Sequence, residues 1–589
     1  MSTGSPEPGS GASDPVMDVG SMAEVLRARA ERTPDTPAYH FLVDGQEEGA
    51  RLTYAELDRE ARAVAVALRD VAGPGDRALL LYAPGLAFIS AFFGCQYAGV
   101  VPVPAYPPRP DRLTQGWEAL GNVAADCRPG VMLADRVVAP FIPRQGGPLA
   151  VLDPVPRIIT DDLDLVSAQQ WREPGFDPDA LALLQYTSGS TAAPKGVMVA
   201  HNNLMHNQRV ILTALEHYRH VGVGVNWLPP YHDLGLIGGI LQTVYRGATL
   251  VLMSPTAFLQ NPMNWVRALS RYRADTSGGP NFAYDLCVQR STPEERAALD
   301  LRNWSVAAIG SEPVSPATMQ GFTAAFETAG FRPEAFYPCY GLAEATVFVT
   351  GGLRTAPPVA PHLDAAALER GSAVPASEGP GARTVVGCGR TWLEQEVRIV
   401  DPELRAARAD GHVGEIWVRG PSVARGYWNR PTETEEVFRA RLADGAGPYL
   451  RTGDLGFVRN GELFITGRIK DVIVIRGRNH YPHDIEATVQ SVHPGLRPGC
   501  GAAFEVIRDG QPRLVVVQEV DRRGRGLDLS GLTGDVRQAV AERHELQVYE
   551  LVLLEYGSLP KTSSGKVRRA DCRVGYENGR LRTWKARPA

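Results

Sequence analysis

Leu184-Gln-Tyr-Thr-Ser-Gly-Ser-Thr-Ala-Ala-Pro-Lys195-Gly196 is the most informative run in this 589-residue chain. An apolar strand leads into five small residues, Thr187, Ser188, Gly189, Ser190 and Thr191, and the loop then reaches a lysine. Small residues let backbone N–H groups approach phosphate oxygens, hydroxyls add donors, and a lysine supplies point charge. It is not a Walker A loop: Pro194 stands where the second glycine should be, and Gly196 where Ser or Thr should follow. A generic Ser/Gly turn would look the same, so the loop by itself leaves both readings open.

Outward from the loop, short apolar runs such as Ala78–Tyr82 and Thr249–Met253 alternate with helical stretches such as Asn264–Tyr272 and Ser315–Glu327. The alternation implies parallel sheets covered by helices, an α/β protein. Ser21 with Glu24, and Thr53 with Glu56, form capping-box patterns that predict two early helices. The most apolar region, Ala78 to Val103, is broken by Pro84, Gly85, Gly94 and Gly99 into strand, turn, helix and turn, which suits a buried αβ unit rather than a membrane span. Leu353 to Arg383 is rich in Ala and Pro, with one short helical pattern around Leu363–Leu368. Chemical motifs lie on both sides of it, so it reads as an insertion within a domain. The sequence then turns β-like at Glu396–Val400 and Gly414–Arg419, and a further break falls near Lys470. The simplest partition is a disordered leader at 1–20, a large domain at 21–469 with a β-rich subdomain and the insertion at about 353–383, and a small α+β domain at 470–589.

Composition bounds the function. Length gives about four domain-sized units, and 61 glycines with 46 prolines stay below the low-complexity range. A net charge of -5 is too small to suggest a nucleic-acid binder. Seven scattered cysteines without C-x-x-C spacing argue for a reducing cytoplasm and against a disulfide frame. The start of the chain lacks the basic and apolar stretches of a signal peptide. Of 61 basic residues only five are lysine, at 195, 470, 561, 566 and 585. Codon bias toward arginine explains the scarcity, yet a surviving lysine can mark a place where a compact, flexible ammonium is needed and a planar fork will not do.

Four further segments narrow the chemistry. Tyr340-Gly-Leu-Ala-Glu344-Ala-Thr346 ends an aromatic-rich stretch with a tight glycine and a carboxylate. Arg451-Thr-Gly-Asp454-Leu-Gly sets a carboxylate just after a glycine turn, suited to a ribose diol, although a capped β-turn looks alike. Thr466-Gly-Arg468-Ile-Lys470-Asp471 sits at the domain break, and Pro560-Lys561-Thr-Ser-Ser-Gly-Lys566-Val-Arg568 places two lysines on a Gly/Ser loop.

Together and in this order, the five segments resemble the adenylate-forming superfamily: acyl-CoA synthetases, luciferases and peptide-synthetase adenylation domains. Within it, Gly94-Cys-Gln-Tyr-Ala-Gly-Val-Val-Pro-Val-Pro-Ala-Tyr-Pro-Pro108, Trp227-Leu-Pro-Pro-Tyr-His232-Asp233, Ser277-Gly-Gly-Pro-Asn-Phe-Ala-Tyr284-Asp-Leu-Cys287 and Arg476-Gly-Arg-Asn-His-Tyr-Pro-His-Asp-Ile-Glu486 look like fatty acyl-AMP ligases. The insertion before Val385 joins them.

The resemblance implies roles. The 187–195 loop, Lys195 included, would hold the pyrophosphate end of ATP. Gly310, Ser311, Glu312 and Pro313, with Tyr340, Gly341, Leu342 and Ala343, would frame adenine. Glu344 would hold Mg²⁺, with Thr187 nearby. Asp454 would take the ribose hydroxyls, with Ile465 and Arg468 beside the nucleotide. Lys470 matches the hinge of a mobile small domain, Lys566 the lysine that bridges carboxylate and α-phosphate, and His232 the residue at the mouth of the acyl pocket. Trp227, Leu234, Ile237, Ile240, Phe282 and Tyr284 are candidates for that pocket, where core packing is the competing reading. Ser311 stands where alanine is common, and His483 where glutamine is frequent.

The implied activity is activation of a fatty acid, medium- to long-chain, to an acyl-adenylate with release of pyrophosphate, then transfer to the phosphopantetheine thiol of an acyl-carrier protein. An acyl-CoA synthetase is the near alternative, and a catalytically silent nucleotide-binding protein the distant one. Residues 561–589 carry nine basic and two acidic side chains, a solvated tail or a dock for an acidic carrier protein. No G-x-S-x-G elbow supports a serine hydrolase. Histidines 201, 206, 217, 220 and 232 lack a carboxylate pattern for a metal.

Overall fold

A computed structural model describes residues 19–107, 113–143, 147–175, 177–187, 194–354, 356–475, 478–508, 510–521, 531–562 and 565–584. The leader up to Asp18, four loop residues 188–191 and Lys585 lie outside the described residues.

The alternating pattern folds into two main sheets. The larger has nine strands. Its centre is parallel, running Phe336–Tyr340, Val306–Ile309, Thr276–Gly279, Val223–Asn226, Thr249–Met253 and Pro37–Val43 in spatial order. Strand Glu47–Thr53 on one side, and Thr350–Gly351 followed by Arg390–Thr391 on the other, close its flanks antiparallel. The second sheet is parallel throughout: Val101–Pro104, Arg77–Leu81, Val131–Ala134 and Arg157–Ile159.

The apolar region 78–103 forms the expected unit. Strand Arg77–Leu81, helix Ala87–Ala98 and strand Val101–Pro104 make a βαβ step, its helix ended by Gly99 at φ 68. Gly94 lets that helix lie against helix Tyr54–Arg69, since a Cβ there would come within 2.4 Å of Val64 Cγ1. Thr53 and Glu56 form the complete capping box. The Ser21 hydroxyl accepts from Glu24 N–H at 3.2 Å, but Glu24 accepts from Gly20 N–H rather than that of Ser21. The chain bends one residue earlier than the pattern assumes.

After the large sheet come four antiparallel strands, Glu396–Val400, Gly414–Arg419, Leu450–Arg459 and Glu462–Arg468. From Ile473 onward the apolar residues form two clusters of their own. They pack strands Leu496–Arg508, Gln511–Val520 and Val548–Leu554 beneath helices Pro482–Val492, Leu532–His544 and Arg569–Glu577.

The 353–383 segment folds as a hairpin, His362–Asp364 with Ala382–Thr384, carrying a short helix Ala365–Glu369. Leu363 and Leu368 seat it on Phe457 and Phe464 of the antiparallel sheet. Its charged groups reach the other way. Arg383 lies 2.9 Å from Asp484, and Glu369 accepts from Arg478 Nε at 2.8 Å. Among the described residues, no helix is long and apolar enough to cross a membrane.

Candidate active site

Parallel strands that all end on one edge of a sheet place their following loops together, and ligands of open α/β sheets bind there. Trp227, Gly279, Gly310 and Tyr340 occupy such ends, and they line one cleft of about 2290 Å³. Thr187 and Lys195 line it from the hairpin Leu181–Thr187/Lys195–Ala200, where they are register partners. Asp454, Ile465, Arg468, Lys470 and Lys566 line it from the later part of the chain.

The proposed adenine frame is tightly built. Gly310 and Gly341 leave no room for a side chain: a Cβ would stand 2.6 Å from Cys339 O and 1.7 Å from Val347 O, respectively. Ser311 has φ 69, a left-handed backbone that a non-glycine residue adopts only when its surroundings hold it there. Glu312 accepts from Asn281 N–H at 2.9 Å, and burial raises its carboxyl pKa. Pro313, Leu342 and Ala343 also line the cleft.

Tyr340 donates to Asp454 Oδ2 at 2.8 Å, and Arg468 Nε lies 2.8 Å from Asp454 Oδ1. Asp454 and Arg468 face each other across adjacent strands. The Asp454 charge holds the Arg468 guanidinium above its usual range. Sugar hydroxyls arriving here would therefore exchange with a guanidinium already bound to the carboxylate.

Glu344 accepts from the Tyr427 hydroxyl at 2.8 Å, and burial raises its carboxyl pKa. A buried carboxylate in that condition suits a hard cation, and Mg²⁺ commonly takes one carboxylate with substrate phosphates supplying other oxygens. Among the described residues no group of three or more His, Cys, Asp or Glu could hold a metal by itself. Three of the five histidines have other partners: His206 bonds Ser422 at 2.7 Å, His217 bonds Thr276 at 3.0 Å, and His220 lies 3.0 Å from Asp275.

Lys195 pairs with Glu433 and lies 5.1 Å above the Tyr427 ring. Arg430 donates to Pro194 O at 3.2 Å. Sequence reasoning missed Tyr427, Arg430 and Glu433. The only signal in Arg425-Gly-Tyr-Trp-Asn-Arg-Pro431 was aromatic and basic residues around a glycine, which is not specific.

His232 Nδ1 lies 2.6 Å from Asp233 Oδ1. Burial acts to raise the Asp233 pKa, but His232 and Lys566 outweigh it and hold the carboxylate low. Lys566 thus acts electrostatically across the cleft. Burial lowers its own pKa, while Asp233 and Glu312 oppose the fall. The loop carrying it touches the large sheet's side, since a Cβ on Gly565 would sit 3.2 Å from Phe282 Cε1. Lys470 lies in the turn Ile469–Asp471, its pKa lowered by burial and by Arg468.

The acyl candidates divide. Trp227, Leu234 and Phe282 line the cleft, and Gly238 and Gly239 line it with them. Ile237, Ile240 and Tyr284 do not: they are buried in the main core, and Tyr284 donates to Ala308 O at 2.9 Å amid Trp265, Trp304 and Phe322. The reason is the phase of the helix that carries them. Residues Leu234–Leu241 form a π-helix, so one side carries Leu234, Gly238 and Gly239 to the cleft while Ile237 and Ile240 turn into the core.

The family model for AMP-binding enzymes matches residues 26–428, and the model described as Disco-interacting protein 2-like, AMP domain, matches residues 470–586. The chain belongs to the AMP-binding enzymes, the adenylate-forming superfamily, and among them to the fatty acyl-AMP ligases. It is 46% identical over 574 residues to the medium-chain-fatty-acid–[acyl-carrier-protein] ligase JamA of Moorena producens (strain JHB), covering 96% of this chain and 97% of that protein. It is 37% identical to the long-chain-fatty-acid–AMP ligase FadD23 of Mycobacterium tuberculosis (strain CDC 1551 / Oshkosh), covering 96% and 98%. Its fold is similar to the fatty acyl-adenylate ligase of L. pneumophila solved with acyl adenylate and pyrophosphate, with a TM-score of 0.76, 40% identity, and 98% and 100% of the two chains covered.

Proposed function

We propose that this ATP-dependent ligase activates a medium- to long-chain fatty acid as its acyl-adenylate and passes the acyl group to the phosphopantetheine thiol of an acyl-carrier protein. The observation that carries the reading is that Lys566 lines the same cleft as His232, Asp233 and Glu312, with the Asp233 and Glu312 charges opposing the fall that burial imposes on its pKa.

In the first step a carboxylate oxygen attacks the α-phosphorus of ATP. A new P–O bond forms as the bond to the β-phosphate breaks, and pyrophosphate leaves with the electron pair. Two anions must meet, so the protein neutralises and aligns rather than transfers protons. Lys566, a flexible ammonium, bridges the carboxylate and the α-phosphate. Lys195 and the 187–191 loop take the departing pyrophosphate, with Lys195 leaving Glu433 to do so. Asp454 and Arg468 hold the ribose–phosphate region, and His232 stands at the mouth of the acyl channel. Mg²⁺, held by Glu344 with Thr187 nearby, would screen the phosphates. In the second step, after the small domain turns at Lys470, the thiol gives its proton to solvent, its sulfur bonds the acyl carbon, and the acyl C–O bond breaks so that AMP leaves with the electron pair.

The contacts of the insertion with the small domain favour a carrier protein over free CoA, because they oppose the CoA-competent rotation in particular while leaving the turn at Lys470 to a docked carrier. The name of the JamA relative supports the same acceptor. Seven free thiols suit a reducing cytoplasm. Fatty-acid-dependent ATP–pyrophosphate exchange tests the first step, and silence across chain lengths would sink it. Efficient acyl-CoA formation from free CoA would overturn the acceptor.

A further inference from the structure

The cleft extends along the whole strand Thr276–Gly279, a run of about 10 Å from its mouth. At the outer end a Cβ on Gly279 would stand 2.9 Å from Trp227 Cζ2. Ile211, Leu215, Val225 and Leu250 supply apolar wall on the way in. The inner end is different in kind. His217, Gln242 and Arg246 line it at 4%, 3% and 6% exposure.

These three residues form one cluster. Gln242 and Arg246 are one turn apart on helix Gln242–Arg246 and so share a face. His217 bonds Thr276 Oγ1 at 3.0 Å and feels the Arg246 charge. Among the described residues, neither amide atom of Gln242 has a hydrogen-bond partner, nor do His217 Nδ1 and Arg246 Nε. Buried polar atoms in native proteins are nearly always paired, and leaving one unpaired is costly. Four such atoms at the end of an apolar channel mark a place completed by what enters the channel.

We propose that this floor is a specificity site for a neutral hydrogen-bonding group at the far end of the acyl chain, a hydroxyl or carbonyl oxygen, read by Gln242 with His217 and Arg246 beside it. The inference rests on the reading of the cleft as a fatty-acid-activating site. Neutrality follows from charge: Arg246 Nη2 is already 3.3 Å from Asp275, so a second carboxylate would find no spare cation. Burial and the Arg246 and Arg354 charges keep His217 unprotonated, with one ring nitrogen a donor and the other an acceptor. The Gln242 amide likewise offers both roles, which fits a hydroxyl.

The test is ATP–pyrophosphate exchange with octanoic, decanoic and dodecanoic acids, each beside its ω-hydroxy counterpart. At the length that reaches the floor, kcat/KM for the hydroxy acid should exceed that of the plain acid by about tenfold or more. In Gln242→Leu that preference should vanish while exchange with the plain acid persists, which also shows the variant is folded. Gln242→Met, equally unbranched, replaces it if the leucine variant is unstable. No hydroxy preference at any length, or a preference that survives loss of the amide, would overturn the floor site and leave it to bound water. Absence of exchange with every acid would sink the activating-site reading itself, and this inference with it.

Discussion

Arg383 Nη1 lies 2.9 Å from Asp484 Oδ2, tying the insertion to the first helix of the small domain. The same guanidinium donates to His483 at 3.0 Å and sits 5.0 Å over the Tyr481 ring. Nearby, Glu369 accepts from Arg478. Both insertion residues are held from behind by the apolar seat of Leu363 and Leu368, so under the proposed mechanism these contacts would resist the CoA-competent rotation of the small domain.

Replacing both anchors, Arg383→Ala with Glu369→Ala, should therefore raise acyl-CoA formation from free CoA severalfold while leaving ATP–pyrophosphate exchange nearly unchanged. Half-buried ion pairs of this kind are worth about 1 kcal/mol each, enough to shift a rotation equilibrium by that factor. Product analysis with CoA as acceptor decides it; an unchanged CoA background would remove the tethering role.

Lys566→Ala should lower exchange by about 10²–10³ and leave ATP binding largely intact, because the lysine contributes where the two anions meet. Equilibrium ATP binding and exchange, measured on the same preparation, separate the two effects. Retention of most exchange activity would show that another group bridges the anions.

Tyr427→Phe removes the hydroxyl that donates to Glu344 at 2.8 Å. That bond opposes the rise caused by burial, so without it the carboxyl pKa climbs further and cation binding weakens. The Mg²⁺ concentration for half-maximal exchange should increase about three- to tenfold, with KM for the fatty acid unchanged. A variant that shifts both equally would argue for general loosening of the cleft.

Burial lowers the His483 pKa from 6.5 to about 4. Asp484 and Glu486 oppose the fall, while Arg383 and Arg569 reinforce it. Above about pH 6.5 neither folded nor unfolded chain binds this proton and stability is complete. As pH falls toward 4 the unfolded state binds it first, so stability is lost across that window. His483→Gln should flatten melting temperature against pH there, a change on the order of 1–3 kcal/mol between the two ends. An identical slope in wild type and variant would assign the acid loss elsewhere, His201, also lowered to about 4, being the next candidate.

The sequence by itself determined the α/β class, since period and breaker residues at 78–103 act locally and leave little freedom in how the segment folds. It also carried the family resemblance from which the site is proposed: four of the five lysines, Lys195, Lys470, Lys561 and Lys566, fall in the segments that carry it. Three of these now have distinct settings, beside Glu433, in the turn before the small domain, and across from Asp233. Lys561 instead donates to Gly499 O at 2.8 Å, tying the start of the segment that leads to Lys566 to strand Leu496–Arg508. What only the tertiary structure decided is which side chains meet. Tyr427 and Glu344 are far apart in the chain, as are Arg383 and His483, and no local pattern encodes their contact. The proposed acyl channel is the sharpest case. Leu234 and Ile237 look alike as letters, but a π-helix sends one to the cleft and the other to the core, because helix phase is set by packing on both sides rather than by hydrophobicity.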